Sequence, residues 1–344
     1  MDTKLAVLEY GSQTFWGLEL TFTKRGAVFV HLSQHERDRV ISEVTLLGFS
    51  HHPGLQVPLF LLFLMIYIMT MAANISIVVL VVADWHFHTP MYFFLGNLSC
   101  LEVCYSSTIL PRLLASFLAG NRAISIHCCI LQFYCFGSLT AAECCLLAVM
   151  SLDRYVAICR PLHYAALMRV RSCLHLAAGS WISGFLSTIA NTYWMSGMAL
   201  CGPTDLDHFF CDFTPLLKLF CSDTSLMALV TLLLSALFTL PPFLLTLTSY
   251  MCIITAILRI PSSTGRHKAF STCSSHLIVV TLYYGTIIFV YVLPDTDTLR
   301  PLNKLFSLFY TVITPFANPL IYSLRNREVR ETLRRAFTVR VCTA

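Results

Sequence analysis

The chain has 344 residues, 56% of them hydrophobic and only 12% charged, with a net charge of +5 and a mean hydropathy of +0.71. Water-soluble globular chains carry about 25% charged residues, so this one cannot cover a soluble surface and the bilayer is its expected solvent. Its basic residues are scattered between oily blocks rather than interleaved with exposed aromatics, which argues against nucleic acid as a partner.

Residues 1–45 are ordinary in polarity and lack the apolar core of a cleavable signal peptide, so the first span is expected to direct insertion. Seven blocks then reach the roughly 20 apolar residues that a crossing helix needs: 57–83, 90–117, 126–158, 173–195, 226–258, 269–293 and 302–323. Backbone polar groups in lipid must be satisfied within the segment, and the alternation of a barrel strand is absent. The expected fold is an all-α membrane protein, a seven-transmembrane helix bundle with a short amphipathic C-terminal helix. Residues 1–56 form an outer tail, 57–323 the bundle and 324–344 an inner tail. In "REVRETLRRAF", Val329, Leu333 and Phe337 fall four apart amid arginines, which predicts a basic helix lying on membrane lipids. Cys342 beyond it is a candidate for palmitoylation.

Orientation follows from the short loops. With the N-terminus outside, the inner side collects Arg154, Arg160, Arg169, Arg171, Arg259, Arg266, Lys268 and six arginines from Arg325 onward. The outer side holds Arg112, Arg122, Lys218, Arg300 and Lys304. Thirteen against five places the C-terminus in the cytoplasm of a multi-pass plasma-membrane protein under the positive-inside rule.

Most of the 15 cysteines fall inside the spans, where Cys packs as a small hydrophobe. Four collect outside: Cys129 at the top of the third span, then Cys201, Cys211 and Cys221 in the next outer loop. An oxidising exterior favours disulfides there, and spacing leaves all three pairings open. The same loop reads "HFFCD", in which His208, Cys211 and Asp212 are all metal-ligand types. A bridge is the better use of Cys211, so no metal and no cofactor is expected. The sequons at Asn74 and Asn97 lie within spans, out of reach of a sugar.

The third block ends "MSLDRYVAICRPLHY" (150–164). From Phe136 to Arg154 is five turns at about 3.6 residues per turn, so Phe136, Thr140, Glu143, Leu147, Met150 and Arg154 share one stripe. An intramembrane carboxylate is costly unless it faces the bundle interior, and it marks function there. Glu102 lies about a dozen residues into the second span, so Glu102, Glu143, Asn74 and Asn318 predict a polar mid-membrane chamber for water, a monovalent cation or a shared proton.

"SLDRYVAICRPLHY" resembles the end of the third span of olfactory receptors, a branch of the rhodopsin-like G-protein-coupled receptors. "HTPMYFFLGNLSCLE" (88–102), "KAFSTCSSHL" (268–277), "LYYGT" (282–286) and "PFANPLIYSLRN" (315–326) resemble that family's signatures in its order and spacing. "EVTLLGFSHHPGLQ" (43–56) resembles the family's usual start, which leaves 1–40 as an atypical extension. Departures are Ser151–Leu152 where the family has Ala–Tyr, Glu102 where Asp is commoner, and Ala73 where Gly is.

The resemblance implies roles. Arg154 would meet the G protein's C-terminal helix once the inner mouth opens, with Asp153 its partner at rest and Tyr155 a support. Asn318, Pro319 and Tyr322 would form the seventh-span switch, with Tyr250 as partner, and Tyr284 would hold the sixth-span toggle position. Glu102 and Glu143 would line the chamber, Cys129 would bridge Cys211, and Cys201 would bridge Cys221. Lys268 stands where relatives outside the branch place an acid, so a second ionic lock is not expected. In physical terms, Asp153 and Arg154 cost less together in a low dielectric than either alone. Pro315 and Pro319 remove backbone bonds and ease bending of the last span.

By helical position the outer third of the bundle is lined by Phe136, Gly137, Thr140, Ala141, Ser235, Thr239, Tyr284, Ile287, Ile288, Tyr291 and Thr311. This apolar set with a few hydroxyls, and no acid or base, suits small, mostly neutral volatile molecules. The functional expectation is an odorant receptor that activates a stimulatory olfactory-type heterotrimeric G protein and raises cyclic AMP, not an enzyme. A chemosensory receptor of the same superfamily used outside olfaction is the alternative. A transporter is disfavoured because no paired halves with matching broken helices are visible.

Overall fold

The computed structural model describes residues 10–15, 18–22, 28–32, 42–49, 53–120, 122–292 and 300–325. It divides into two units, residues 1–43 and 44–344. In the first, β1 (Tyr10–Phe15), β2 (Leu18–Phe22) and β3 (Val28–Leu32) form an antiparallel sheet in the order β1-β2-β3. Its register pairs Leu18 with Leu32 and Phe22 with Val28.

The second unit holds seven helices long and apolar enough to cross a membrane. Their elements are Gln56–Ala83, Pro90–Ala119, Ile126–Cys159, Val170–Ser196, Ser225–Leu258, Ser263–Val292 and a last span composed of Arg300–Leu308, Phe309–Ile313 and Thr314–Arg325. The helical expectation holds for the bundle. The expected amphipathic helix beyond Asn326, Cys342 and the side chain of Lys268 lie outside the described residues.

The third span is the axis. Its 34 residues reach about 51 Å at 1.5 Å per residue, longer than the roughly 30 Å hydrocarbon core. Two thirds (67%) of its membrane window is buried, against none of the fifth span's. The fourth span approaches it without a side chain in between: a Cβ at Gly184 would lie 2.5 Å from the Ser138 carbonyl oxygen and 2.6 Å from the Ala142 Cβ. Small residues allow such close helix contact in lipid, where packing rather than the hydrophobic effect drives association. The outward faces carry Leu61, Val79, Leu186, Leu237 and Leu244, all exposed, as suits an apolar solvent.

The last span is not one regular helix. Phe309–Ile313 form a π turn, in which the Thr314 N–H donates to the Phe309 carbonyl five residues back. Pro315 follows immediately. It has no N–H to give Thr311, and its ring crowds that carbonyl, which accounts for the widened turn.

Outside the bundle, β4 (Glu43–Leu46) lies between β5 (Ala123–Ser125) and β6 (Asp205–Leu206). The pair β4–β6 is parallel, Thr45 opposite Asp205 and Leu46 opposite Leu206. Leu46 N–H donates to the Arg122 carbonyl at 3.0 Å and Gly48 N–H to that of His208 at 3.1 Å. Alternation along Glu43–Leu46 buries Val44 and Leu46, so this stretch is pinned as a roof strand.

Candidate functional site

At the inner end of the third span, Asp153 is fully buried and accepts from Arg154 Nε at 3.0 Å. Its other oxygen, Oδ1, accepts from the Tyr164 hydroxyl at 2.8 Å. Tyr164 sits on a short helix, Pro161–Leu167, that follows directly after the span. Burial, then the Asp153 charge, raises the Tyr164 phenol pKa, so it remains a donor. Tyr164 closes the motif "MSLDRYVAICRPLHY", but nothing in the sequence marks it as a donor to Asp153. Tyr155 packs against the cluster of Tyr250, Ile253, Ile257 and Cys273, with the Arg160 guanidinium 6.0 Å from its ring centroid.

The switch residues are partly reunited. The Tyr250 hydroxyl pairs with His276 Nδ1 at 2.5 Å rather than with the Tyr322 hydroxyl. The His276 ring lies 5.7 Å from that of Tyr250 and 6.4 Å from that of Tyr322, so this histidine stands between the two tyrosines. Asn318 Nδ2 donates to Glu102 Oε1, and Glu143 interacts with Glu102. Asn74 does not join the acids. Its Nδ2 donates to the Thr70 and Pro315 carbonyls at 3.0 and 3.1 Å and ties the first span to the seventh.

At the outer face Cys129 is bonded to Cys211 and Cys201 to Cys221. The loop so held folds into the mouth of the bundle. Phe210 is fully buried and lies 4.8 Å from Phe136, while the Cys211 N–H donates to Gln132 Oε1 at 2.9 Å. A cavity of about 430 Å³ remains beneath this loop, between the tops of the fifth, sixth and seventh spans.

Of the eleven residues expected to line a ligand site, Ser235 and Tyr291 border this cavity and the other nine do not. Phe136 is packed against Tyr105, Phe210 and Tyr310. Gly137 faces the fourth span, where a Cβ would collide with Thr188. The Thr140 carbonyl accepts from Tyr283, the Tyr284 hydroxyl donates to the Cys144 carbonyl at 3.0 Å, and Thr311 bonds the Ser307 carbonyl. Ile287 is core, Ile288 packs partly buried against it, and Thr239 contacts Cys144; Ala141 does not border the cavity. Unlike that expected lining, this cavity carries charged groups, Asp212 from the loop and Lys304 from the start of the seventh span.

Two loop groups make the roof sensitive to pH. Burial first, then the positive Lys304, pulls the His208 pKa down to about 3 from 6.5, against the Asp207 charge. An imidazole held neutral takes up its proton on unfolding, so its contribution is complete above about pH 6.5 and is lost as pH falls toward 3. Asp212 runs oppositely: burial raises its pKa to about 6 against hydrogen bonds from the Phe213 N–H and the Tyr291 hydroxyl. Its contribution is present below about pH 4 and lost as pH rises to 6. Melting of the purified protein at pH 7.5 and 5.5 should show His208→Gln reducing the acid loss by on the order of 1 kcal/mol. An unchanged pH response would show that His208 is not the group responsible. Among the described residues no cluster of three His, Cys, Asp or Glu side chains is placed to hold a metal.

The olfactory receptor family model matches residues 63–340. Olfactory receptor 10C1 of Homo sapiens is 50% identical over 296 residues, covering 86% of this chain and 95% of its own length. Olfactory receptor 6B1 of Homo sapiens is 46% identical over 300 residues, 87% of this chain and 96% of its own. Olfactory receptor 5G9 of Mus musculus is 45% identical over 295 residues, with 86% and 94% covered. With seven spans, the two outer bridges and this match over most of its length, the chain belongs to the olfactory receptor family: it is a multi-pass membrane receptor of the G-protein-coupled class and not an enzyme.

Proposed function

We propose that the protein is an odorant receptor for small, mostly neutral volatile molecules and that it drives nucleotide exchange on a stimulatory olfactory-type G protein, raising cyclic AMP. Its N-terminus lies outside the plasma membrane and its C-terminus in the cytoplasm. The observation that carries this reading is one unbroken helix. The third span is tied at its outer end to the loop that roofs the cavity and carries the Asp153–Arg154 pair at its inner end. A ligand that shifts Tyr291 or Phe210 therefore bears on a rod that ends in a buried guanidinium. Opening the inner mouth gives Arg154 new partners, so the pair acts as a two-state latch.

A cyclic AMP reporter in cells, screened with odorants, tests the assignment. Arg154→Ala should cut the agonist response at least about tenfold at equal surface level; a normal response would remove the latch from the mechanism. Tyr164→Phe deletes a donor to Asp153, and the loss of a hydrogen bond to a charged group should raise agonist-free signalling several-fold. Unchanged basal signal would leave Tyr164 a packing residue. An epitope tag at the N-terminus should be read on unpermeabilised cells and one at the C-terminus only after permeabilisation.

A further inference from the structure

The cavity under the outer loop offers chemistry that the apolar interior below it lacks. Its wall carries Asp205, Asp207 and Asp212 against Lys218 and Lys304, three carboxylates to two ammonium groups. Lys304 is occupied by Asp207 at 2.9 Å, and Lys218 is exposed at the rim. Asp212 is different, being only 5% exposed. Its two protein donors, the Phe213 N–H at 2.8 Å and the Tyr291 hydroxyl at 3.1 Å, both bond Oδ1, so neither engages Oδ2. A second observation points the same way. His208 lines the same cavity at 8% exposure, and its Nδ1 is buried with no hydrogen-bond partner. The imidazole is neutral there, because burial and Lys304 hold its pKa to about 3, and with the proton on Nε2 its Nδ1 accepts.

A nearly buried carboxylate with one oxygen engaged and an unpaired imidazole nitrogen both gain from a donor. A carboxylate ligand brings no donor and is repelled. An alcohol brings one donor and no charge. An alkylammonium brings three donors and a charge opposite to that of Asp212, while Leu206, Leu232 and Val290 supply apolar wall for its chain. We propose that this outer chamber is a binding site for small protonated aliphatic amines, with the ammonium on Asp212, His208 as second acceptor and the alkyl chain along Leu232 and Val290. The site lies above the expected lining for neutral odorants and extends the receptor reading to a second ligand class.

The test is direct binding to the full-length receptor in lipid nanodiscs at pH 7.4, with hexylamine, hexan-1-ol and hexanoic acid as matched probes. Hexylamine should bind best and hexanoic acid worst. Asp212→Asn should weaken hexylamine more than about tenfold, the scale of a lost charge-assisted hydrogen bond, and leave hexan-1-ol within about twofold. No hexylamine binding, or equal binding by the variant, overturns the site. Should Asp212→Asn fail to fold, Ala228→Trp decides: the indole enters the chamber from the fifth span and leaves the Asp212 side chain itself unaltered. Its retention of hexylamine binding would overturn the proposal, and its loss supports it. A cyclic AMP assay run in parallel separates the two readings, since binding without a response counts against the signalling assignment and leaves the amine site standing.

Discussion

Cys129→Ser is expected to empty the cell surface of folded receptor. The Cys129–Cys211 bridge closes 82 residues, and confining a loop of that length lowers the entropy of the unfolded chain by about 4.5 kcal/mol at 25 °C. The Cys201–Cys221 bridge closes only 20 residues, worth about 3.3 kcal/mol on the same scale. The first bridge also positions more. Cys211 is fully buried, its N–H is held by Gln132, and the neighbouring Phe210 plugs the mouth of the bundle against Phe136. A typical domain has about 5–15 kcal/mol in hand, so the loss is roughly three to nine tenths of it. Flow cytometry of an N-terminal tag, with thermal half-life in detergent, should rank Cys129→Ser well below Cys201→Ser. Surface levels like those of the unaltered receptor would mean that the loop holds its place without the bond.

The second large effect is steric. Gly184→Val should separate the third and fourth spans, because the new Cβ lands 2.5 Å from the Ser138 carbonyl oxygen and 2.8 Å from the Ala142 nitrogen. These are backbone atoms of a helix buried on most sides, so no side-chain rotation relieves the contact. Forcing extra carbons into a close-packed interface costs about 1–3 kcal/mol and sometimes more, and here the fourth span must move bodily. Gly179→Val is the matched control on the same span, since a Cβ there meets nothing within 4 Å. The first variant should lose most of its surface expression while the second keeps it. Equal expression of the two would show that the third–fourth contact is not close in the cell.

How far this could be read beforehand depended on what kind of force decides each feature. Hydrophobic length alone located the spans, because a bilayer imposes one dimension on every crossing helix. The sixth helix nonetheless starts at Ser263, earlier than expected. Its first turns, "STGRHK", are polar and outside the oil, where hydropathy carries no signal. Periodicity likewise put Glu143 and Arg154 on one stripe of the third span. It misjudged Gly137, which sits near the edge of the lining face, and only the neighbouring Thr188 reveals which way it turns. The cavity was the hardest to foresee. Its shape is set by a loop whose path depends on two bridges and a roof strand, all non-local in sequence, so helical position could assign faces but not depth. Tyr164 and His276 were visible as residues, yet their partners Asp153 and Tyr250 come together only through the chain's folding.

The π turn in the last span carries a consequence for comparing this chain with others. One extra residue in a helical turn advances everything beyond it by about 100° of phase, since a regular turn takes about 3.6 residues. Asn318 meets Glu102, and Tyr322 comes near His276, only because Phe309–Ile313 absorb that residue first. A helical wheel drawn straight through 302–325 therefore points the inner half of the span at the wrong neighbours, and a relative lacking the widened turn would need a compensating deletion to keep the same residues facing inward.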